Sequence, residues 1–456
     1  MKRLKINLKG NKNIINNIIG AFIVRGGSLI VSLFTMPAYF RYFQNQSVLG
    51  LWFTILSVLN WVLMFDLGLG HGLRNKLTIA LAEGNKDKAR KYISSAYISM
   101  AILIFLLSVV SFFLFPYVPW NKLFNINSQL ISYNILITSV KIVFIGIMIQ
   151  FLLKLITSIL FSIQKSALVN FLNLASNIII LLFVLFAPTT NLKQNLITMS
   201  WVNTIAINAP LLIMTIILFS TTLKNYRPSF KKYNNKYALE ILKIGGVLLW
   251  LQVVFMIISS TNEFLISYLT TPAAVVEYQV YNKIFNVISS LFVLTLVPIW
   301  SAVTKAQAEH KYSWIKKLFN ILLLMVGIAF MTELAIIPFL QTFINLWLGD
   351  SAINVKIGYA IIFAISNSIF ILHNVNTSLS NGMSYFKIQI IWMTFAAILN
   401  IPLAYFFVQL TGGWIGVVLA NILSLLPFEI LEPIYFNRYI SKLGKIDINR
   451  RGGKII

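Results

Sequence analysis

The chain has 456 residues, of which 58% are hydrophobic and 11% charged, and its mean hydropathy is +0.82. These values exclude an ordinary soluble domain and indicate a membrane protein. The sequence contains no cysteine and three histidines, so disulfides, thiolate catalysis and Cys- or His-rich metal sites are not expected. We expect no catalytic constellation, no metal and no cofactor.

Apolar runs long enough to cross a bilayer of about 30 Å as helices recur along the whole length. They predict an all-α membrane protein with about twelve transmembrane helices. The predicted spans are 14–37, 48–69, 93–115, 131–162, 168–187, 196–222, 244–266, 276–302, 318–339, 357–381, 388–409 and 414–436.

The net charge of +25 raises the alternative of a nucleic-acid partner, and the positions of the basic residues decide against it. With the N-terminus inside and sides alternating, inside segments hold 29 of the 37 Lys and Arg, and outside segments hold four. Cytoplasmic loops of membrane proteins carry such an excess. The charge therefore predicts topology, with both termini cytoplasmic, and we expect no nucleic acid.

A faint internal repeat appears when the second half of the chain is aligned with the first, so that Gly20 matches Gly246 and Glu83 matches Glu309. An even number of spans in each half gives a parallel repeat, as in transporters that rock two lobes. Two unrelated bundles are the alternative. The predicted domains are a six-helix lobe over 1–222, a basic cytoplasmic linker over 223–243, a second lobe over 244–436 and a basic cytoplasmic tail over 437–456.

Four basic residues fall inside predicted spans, where a charge is costly unless it faces protein, water or a ligand. They are Arg25, Lys141, Lys154 and Lys283. Each has a structural alternative: Arg25 and Lys141 can hold a buried carbonyl or carboxylate, Lys154 can extend to the cytoplasmic surface, and Lys283 can pair with Glu263. The functional interpretation is a set of cations that binds an anion.

Polar side chains repeat at helical spacing in spans from both halves. Such faces either line a hydrophilic cavity or form hydrogen bonds between helices. The predicted lumen residues are Asn173, Asn177, Gln279, Asn286, Asn367 and Asn374. The acidic candidates for ion coupling or gating are Asp66, Glu263 and Glu333, and their alternative is an ordinary buried partner.

The stretch FDLGLGHGLRNKL at 65–77, followed by ALAEGNKDKARKYISSA at 80–96, gives the most specific resemblance in the chain. Together with Arg25, it resembles the polysaccharide transporter family of the multidrug/oligosaccharidyl-lipid/polysaccharide exporter superfamily, and in particular the Wzx-type flippases of O-antigen and capsule repeat units. The resemblance covers essentially the whole chain in length and span count.

The resemblance implies a multi-pass protein of the bacterial cytoplasmic (inner) membrane. It implies transfer of an undecaprenyl-diphosphate-linked oligosaccharide from the cytoplasmic to the periplasmic leaflet. Our mechanistic hypothesis is alternating access, with the diphosphate on Arg25, Lys141, Lys154 and Lys283. Other polysaccharide-assembly membrane proteins are further expected partners, and coupling to H⁺ or Na⁺ stays open. The chain is then not an enzyme.

Alternatives remain within and outside this superfamily. Export of lipid II or of a teichoic-acid precursor would use the same mechanism. A cation-coupled drug exporter would need acidic residues inside the first lobe, where Asp66 is the one candidate. A membrane glycan polymerase or ligase would need a sizeable outward loop with arginine or histidine, and the predicted outward loops are short.

Overall fold

A computed structural model describes residues 8–64, 68–163, 165–189, 191–383, 385 and 387–452. The side chains of some helical positions, Arg25 among them, lie outside this description. Over these ranges the backbone forms helices and connecting turns, with no β-strand. The predicted all-α class is therefore confirmed.

Most of the described chain lies in twelve long helices. They are α1 (Leu8–Phe43), α2 (Gln46–Met64), α4 (Lys86–Leu114), α6 (Tyr133–Ser162), α7 (Ser166–Phe186), α8 (Leu192–Ser220), α9 (Asn235–Ser259), α11 (Pro272–Ala308), α12 (Tyr312–Ile336), α14 (Ile357–Gly382), α15 (Lys387–Thr411) and α16 (Ile415–Gly452). Four shorter helices connect them: α3 (Leu69–Ala82), α5 (Trp120–Leu123), α10 (Asn262–Leu269) and α13 (Leu340–Leu348).

Each predicted span overlaps one of the twelve long helices. Among the described residues, ten segments are long and apolar enough to cross a membrane. These ten do not include α1 or α11, so the count of twelve spans stays a prediction, as does the side on which the termini lie. The chain is a multi-pass membrane protein.

Two compact units divide the chain, residues 1–253 and residues 254–456, and the division falls inside α9. The predicted linker over 223–243 belongs to the first unit, where its polar contacts with α4 hold it. Likewise α16 continues through the start of the predicted tail. Hydropathy did not indicate these extensions because a helix that leaves the apolar core becomes polar.

The alignment of the two halves also relates the helices of the two units. In the register that matches Gly20 with Gly246, α4 falls on α12, α6 on α14 and α8 on α16. Internal packing follows the same scheme, because α6 packs on α8 in the first unit and α14 packs on α16 in the second. The weak sequence repeat therefore corresponds to a repeated arrangement of helices.

Candidate functional site

The four predicted intramembrane cations lie on three helices. Arg25 is at the middle of α1, and its side chain lies outside the described residues. Lys141 and Lys154 are both on α6 and both exposed. Lys283 is half-buried on α11 in the second unit. Within the described part of the chain, neither Lys141 nor Lys154 has an ion-pair partner.

Lys141 lies in a groove between α4 and α6 with a volume of about 930 Å³. Apart from Lys141, the lining is mostly apolar, and its hydroxyl groups belong to Ser108, Ser111 and Tyr117. The α4 side chains that line the groove are exposed: Phe105 is 67% and Phe112 is 76% exposed. The first unit therefore presents one cation inside a large apolar groove.

An aromatic contact connects the two sides of the groove near Lys141. The Phe115 ring lies 5.1 Å from the Phe144 ring, one turn after Lys141 on α6. The indole Nε1 of Trp120 donates to the Phe115 carbonyl oxygen at 3.0 Å, which anchors the end of α4 to the connection that follows. The two helices are thus held together at this end and are separated along the groove.

The predicted amide residues of the first unit have different surroundings. Asn177 Nδ2 donates to Ser28 Oγ at 2.8 Å, a contact between α7 and α1. Asn173, one turn earlier on α7, is exposed. Asn177 therefore contributes to helix packing, whereas the Asn173 amide is accessible.

The predicted polar stripe of α11 connects to neighbouring polar groups of the second unit. Gln279 Nε2 donates to Glu263 Oε1 at 2.6 Å. Asn286, which is exposed, accepts a bond from Ser290 Oγ at 2.7 Å. The stripe thus holds one acidic partner near its start and leaves one amide accessible further along.

Glu333 and Asn367, predicted separately, contact each other across α12 and α14. Asn367 donates to Glu333 Oε1, and Ser368 Oγ donates to Glu333 Oε2 at 3.1 Å. Asn367 Nδ2 also lies 3.0 Å from the Phe285 carbonyl oxygen. Asn374 Nδ2 donates to the Phe370 carbonyl of its own helix at 2.8 Å.

A buried carboxylate network on α14 and α16 was missed by the sequence reasoning as a unit. Glu429 Oε1 lies 3.0 Å from His373 Nδ1, and Asn376 Nδ2 donates to Glu429 Oε2 at 2.7 Å. One turn further along α16, Glu432 accepts a bond from Ser380 Oγ. The spacing of three between these glutamates, facing polar residues of α14, was the available signal.

This network retains unused acceptor atoms. The buried oxygens Asn376 Oδ1, Gln389 Oε1 and Glu432 Oε2 have no hydrogen-bond partner among the described residues. Unpaired buried acceptors are rare because each one forfeits its bond to water. A proton or a small cation is the chemical species that such a group of oxygens would accept.

The glycine-rich motif lies where α3 meets the start of α9 in the first unit. Asp66, its acidic residue, is outside the described residues. Gly68 has φ +68°, a left-handed conformation that favours glycine. A Cβ on Gly72 would lie 2.1 Å from the Ile241 carbonyl oxygen, so only glycine permits this approach.

Polar contacts fix the same junction. Lys76 Nζ lies 3.1 Å from Glu240 Oε2, and the Tyr92 hydroxyl donates to that oxygen at 2.6 Å. The Tyr92 hydroxyl and then Lys76 hold the pKa of the Glu240 carboxyl below its usual value. The motif therefore ends in a hydrogen-bonded helix junction.

The segment 223–243 is attached to α4 by further bonds. Arg90 Nε donates to the Arg227 carbonyl oxygen at 3.0 Å, and Lys232 Nζ lies 2.7 Å from Asp87 Oδ1. Ser229 N donates to Ser94 Oγ at 3.1 Å. Because the segment ends in α9, these contacts connect α4 to the helix in which the first unit ends.

Comparison with known proteins gives a structural match only. No family model matches the chain, and no curated protein matches it. A multidrug resistance MATE family transporter of the MOP superfamily, in an inward-facing conformation, superposes with a TM-score of 0.69 at 16% identity, covering 93% of this chain and 99% of that one. The chain has the MATE transporter fold.

Two further solved structures support this assignment. An outward-facing conformation of a multidrug resistance MATE family transporter matches with a TM-score of 0.64 at 15% identity, covering 95% of this chain and 96% of the other. The Vibrio cholerae MATE transporter VcmN in the bent form matches with a TM-score of 0.61 at 13% identity, covering 95% and 99%. At these identities the likeness concerns the fold.

Proposed function

We propose that the chain transfers an undecaprenyl-diphosphate-linked oligosaccharide, an O-antigen or capsule repeat unit, from the cytoplasmic to the periplasmic leaflet of the bacterial inner membrane by alternating access. The observation that carries the proposal is α6, which exposes Lys141 and Lys154 within a membrane-spanning helix. Residues 88–239 contain no acidic residue at all, so this part of the first unit offers an anion only positive charge.

A diphosphate suits this distribution of charge. Charge-assisted bonds to phosphate oxygens are among the strong hydrogen bonds, and their strength increases where water is excluded. We assign the diphosphate to Arg25, Lys141, Lys154 and Lys283, and the glycan to amides of both units: Asn173, Asn177, Gln279, Asn286, Asn367 and Asn374. Asn173 and Asn286 are the exposed members of that second group.

Alternating access is supported by what the similar structures are. Two of them are MATE transporters captured in inward-facing and outward-facing conformations. A helical fold that adopts both conformations in those proteins supplies the movement that transfer of a bulky headgroup requires.

The second unit supplies a means of coupling to H⁺ or Na⁺. Its buried carboxylates include Glu333, Glu429 and Glu432, which are at most 3% exposed. Burying a carboxylate favours its neutral or cation-bound form. We assign coupling to the Glu429 network in addition to Glu263 and Glu333, and gating to Asp66.

A cation-coupled drug exporter is the second candidate, because the second unit buries carboxylates that a cationic drug could approach. Transport assays separate the two candidates. Arg25→Ala should abolish transfer of the lipid-linked oligosaccharide while membrane insertion stays intact, and Arg25→Lys should retain part of it. Normal surface glycan in an Arg25→Ala strain that expresses the protein at the normal level would contradict the assignment of Arg25 to the diphosphate. Resistance to cationic drugs in cells that express the wild-type chain would favour the drug exporter.

A further inference from the structure

Among the described residues, the helix pair of the second unit that corresponds to α4 and α6 buries apolar side chains of both helices in one cluster. In the alignment of the two halves, α4 and α6 correspond to α12 and α14. There the helix pair is filled, because Leu322 and Ala329 of α12 are buried in one apolar cluster with Ile371 and Val375 of α14. The fold itself therefore does not require the groove of the first unit.

The polar residues differ between the two helix pairs at matching positions. Lys141 corresponds to Asn367, and Leu107 corresponds to Glu333. In the second unit Asn367 and Glu333 are bonded to each other. The first unit thus has a cation where the second has an amide, and it has leucine where the second has the carboxylate. No described acidic residue pairs with Lys141, so we infer that its counter-anion is a ligand.

The groove is long enough to hold the phosphate-proximal part of a long lipid chain. Its lining extends from Ala101 on α4 to Tyr117, just after the end of α4, and from Lys141 to Leu153 on α6. At about 1.5 Å per helical residue these stretches are roughly 20 Å long. Half of a hydrocarbon core is about 15 Å. A chain whose headgroup lies at Lys141 would therefore extend past the middle of the bilayer.

We propose that this groove binds the phosphate-proximal part of the hydrocarbon chain of a polyprenyl phosphate, with the Lys141 ammonium contacting its phosphate beside the contact between the Phe115 and Phe144 rings. The inference rests on the proposed function, because it assigns a place to the lipid part of that substrate.

A single-chain isoprenoid fits the groove better than a phospholipid. A cleft between two helices accommodates one chain, whereas a phospholipid carries two. The lining is rich in aromatic rings, including Phe105, Phe112 and Phe144, which present broad apolar surfaces to a methyl-branched chain. Lys141 is the one charged residue of the lining, which matches one phosphate group.

The natural chain has no cysteine, so a single introduced cysteine gives a clean fluorescent label. Ile149→Cys places the label in the groove on α6, and Ile398→Cys places it on α15, where the side chain is 68% exposed. The purified full chain is reconstituted in bilayers of brominated phospholipid, which quenches both labels. Undecaprenyl phosphate, undecaprenol or dioleoyl phosphatidic acid is then added.

Undecaprenyl phosphate should relieve quenching at Ile149→Cys at about one tenth of the concentration that undecaprenol requires. Lys141→Gln, made in the same labelled chain, should remove that difference. Ser108→Phe should fill the groove and prevent the relief, whereas Val109→Phe, on the same helix and outside the lining, should not. The label at Ile398→Cys should respond equally to all three lipids.

Equal relief by phosphatidic acid would overturn the inference in favour of an ordinary phospholipid site. Unrelieved quenching at Ile149→Cys would overturn it outright. Transport is measured separately in cells. If the wild-type chain transfers the lipid-linked oligosaccharide and the label does not respond, the groove assignment fails alone. If the label responds and no oligosaccharide is transferred, the proposed function fails and the groove assignment stands.

Discussion

At the scale of single residues, both the proposed anion site and the proposed lipid groove depend on Lys141. It was predicted from the sequence because a charge in an apolar span requires a partner. The groove around it was not predictable, because the separation of α4 from α6 depends on packing between helices far apart in sequence. Glu432 was missed for a related reason: its spacing of three from Glu429 indicates a shared helix face, but not that Ser380 of α14 contacts it.

Replacing Lys141 tests its role as an anion ligand. Lys141→Gln should lower transport of the lipid-linked oligosaccharide about tenfold, the loss expected from one charge-assisted bond of roughly 1.5 kcal/mol, the low end of the usual range. Lys141→Arg should retain most of the activity because it keeps the charge. The matched control is Lys193→Gln, an exposed lysine at the start of α8. Equal transport by Lys141→Gln and wild type would remove Lys141 from the diphosphate site.

Glu429 tests whether the buried carboxylates of the second unit couple transport to a cation. Glu429→Gln keeps the shape of the side chain and removes its charge, so the chain should fold and transport should lose its response to an imposed H⁺ or Na⁺ gradient. Transport of the lipid-linked oligosaccharide in proteoliposomes, with and without each gradient, measures this response. The control is Glu309→Gln, in an exposed loop. An unchanged gradient response would exclude Glu429 from coupling.

At the scale of helices, close approaches at glycine hold the first unit together. A Cβ on Gly146 would lie 2.6 Å from Thr204 Oγ1, so α6 and α8 meet there without room for a methyl group. Gly146→Ala should therefore destabilise the chain by about 1 to 3 kcal/mol, the range for overpacking. Thermal unfolding in detergent measures the change. Gly327→Ala on α12, where nothing lies within 4 Å, should not lower the midpoint.

The Glu240 junction predicts a pH dependence of the contact between α9 and α3. The pKa of Glu240 is lower in the folded state than its ordinary value of 4.5. At pH values above 4.5 the carboxylate therefore stabilises the fold, and this stabilisation is lost as the pH falls through the lowered pKa. The contribution of so exposed a pair should be at most about 1 kcal/mol. Thermal midpoints from pH 7 down to pH 3 should fall less steeply for Glu240→Gln than for wild type. Parallel curves would contradict this role.

The helices themselves were largely predictable, and their ends were not. Hydropathy found each long helix because a membrane span must be apolar. It ended the last span at 436, whereas α16 continues to Gly452, because the extension carries Arg438 and Lys442. Gly68 of the motif lies in a turn, and Gly72 lies in the short helix α3, where it packs against Ile241.

At the scale of the whole molecule, the repeat and the distribution of charge relate the fold to the function. The repeat was visible in a few sequence identities, and it relates helices of the two units throughout. The units share an arrangement and differ in chemistry: α6 exposes lysines, and α14 and α16 bury carboxylates with their partners. This division matches an exporter that binds an anion with one unit and a coupling cation with the other.

The substrate tests the central claim most directly. The gene is deleted, and lipid-linked oligosaccharides are extracted and measured by mass spectrometry, with glycosidase access to inside-out vesicles reporting the leaflet. We predict that an undecaprenyl-diphosphate-linked oligosaccharide accumulates on the cytoplasmic face and that the wild-type gene clears it, whereas Lys141→Gln clears it about tenfold more slowly. Unchanged levels and sidedness of every lipid-linked oligosaccharide in the deletion strain would contradict the account.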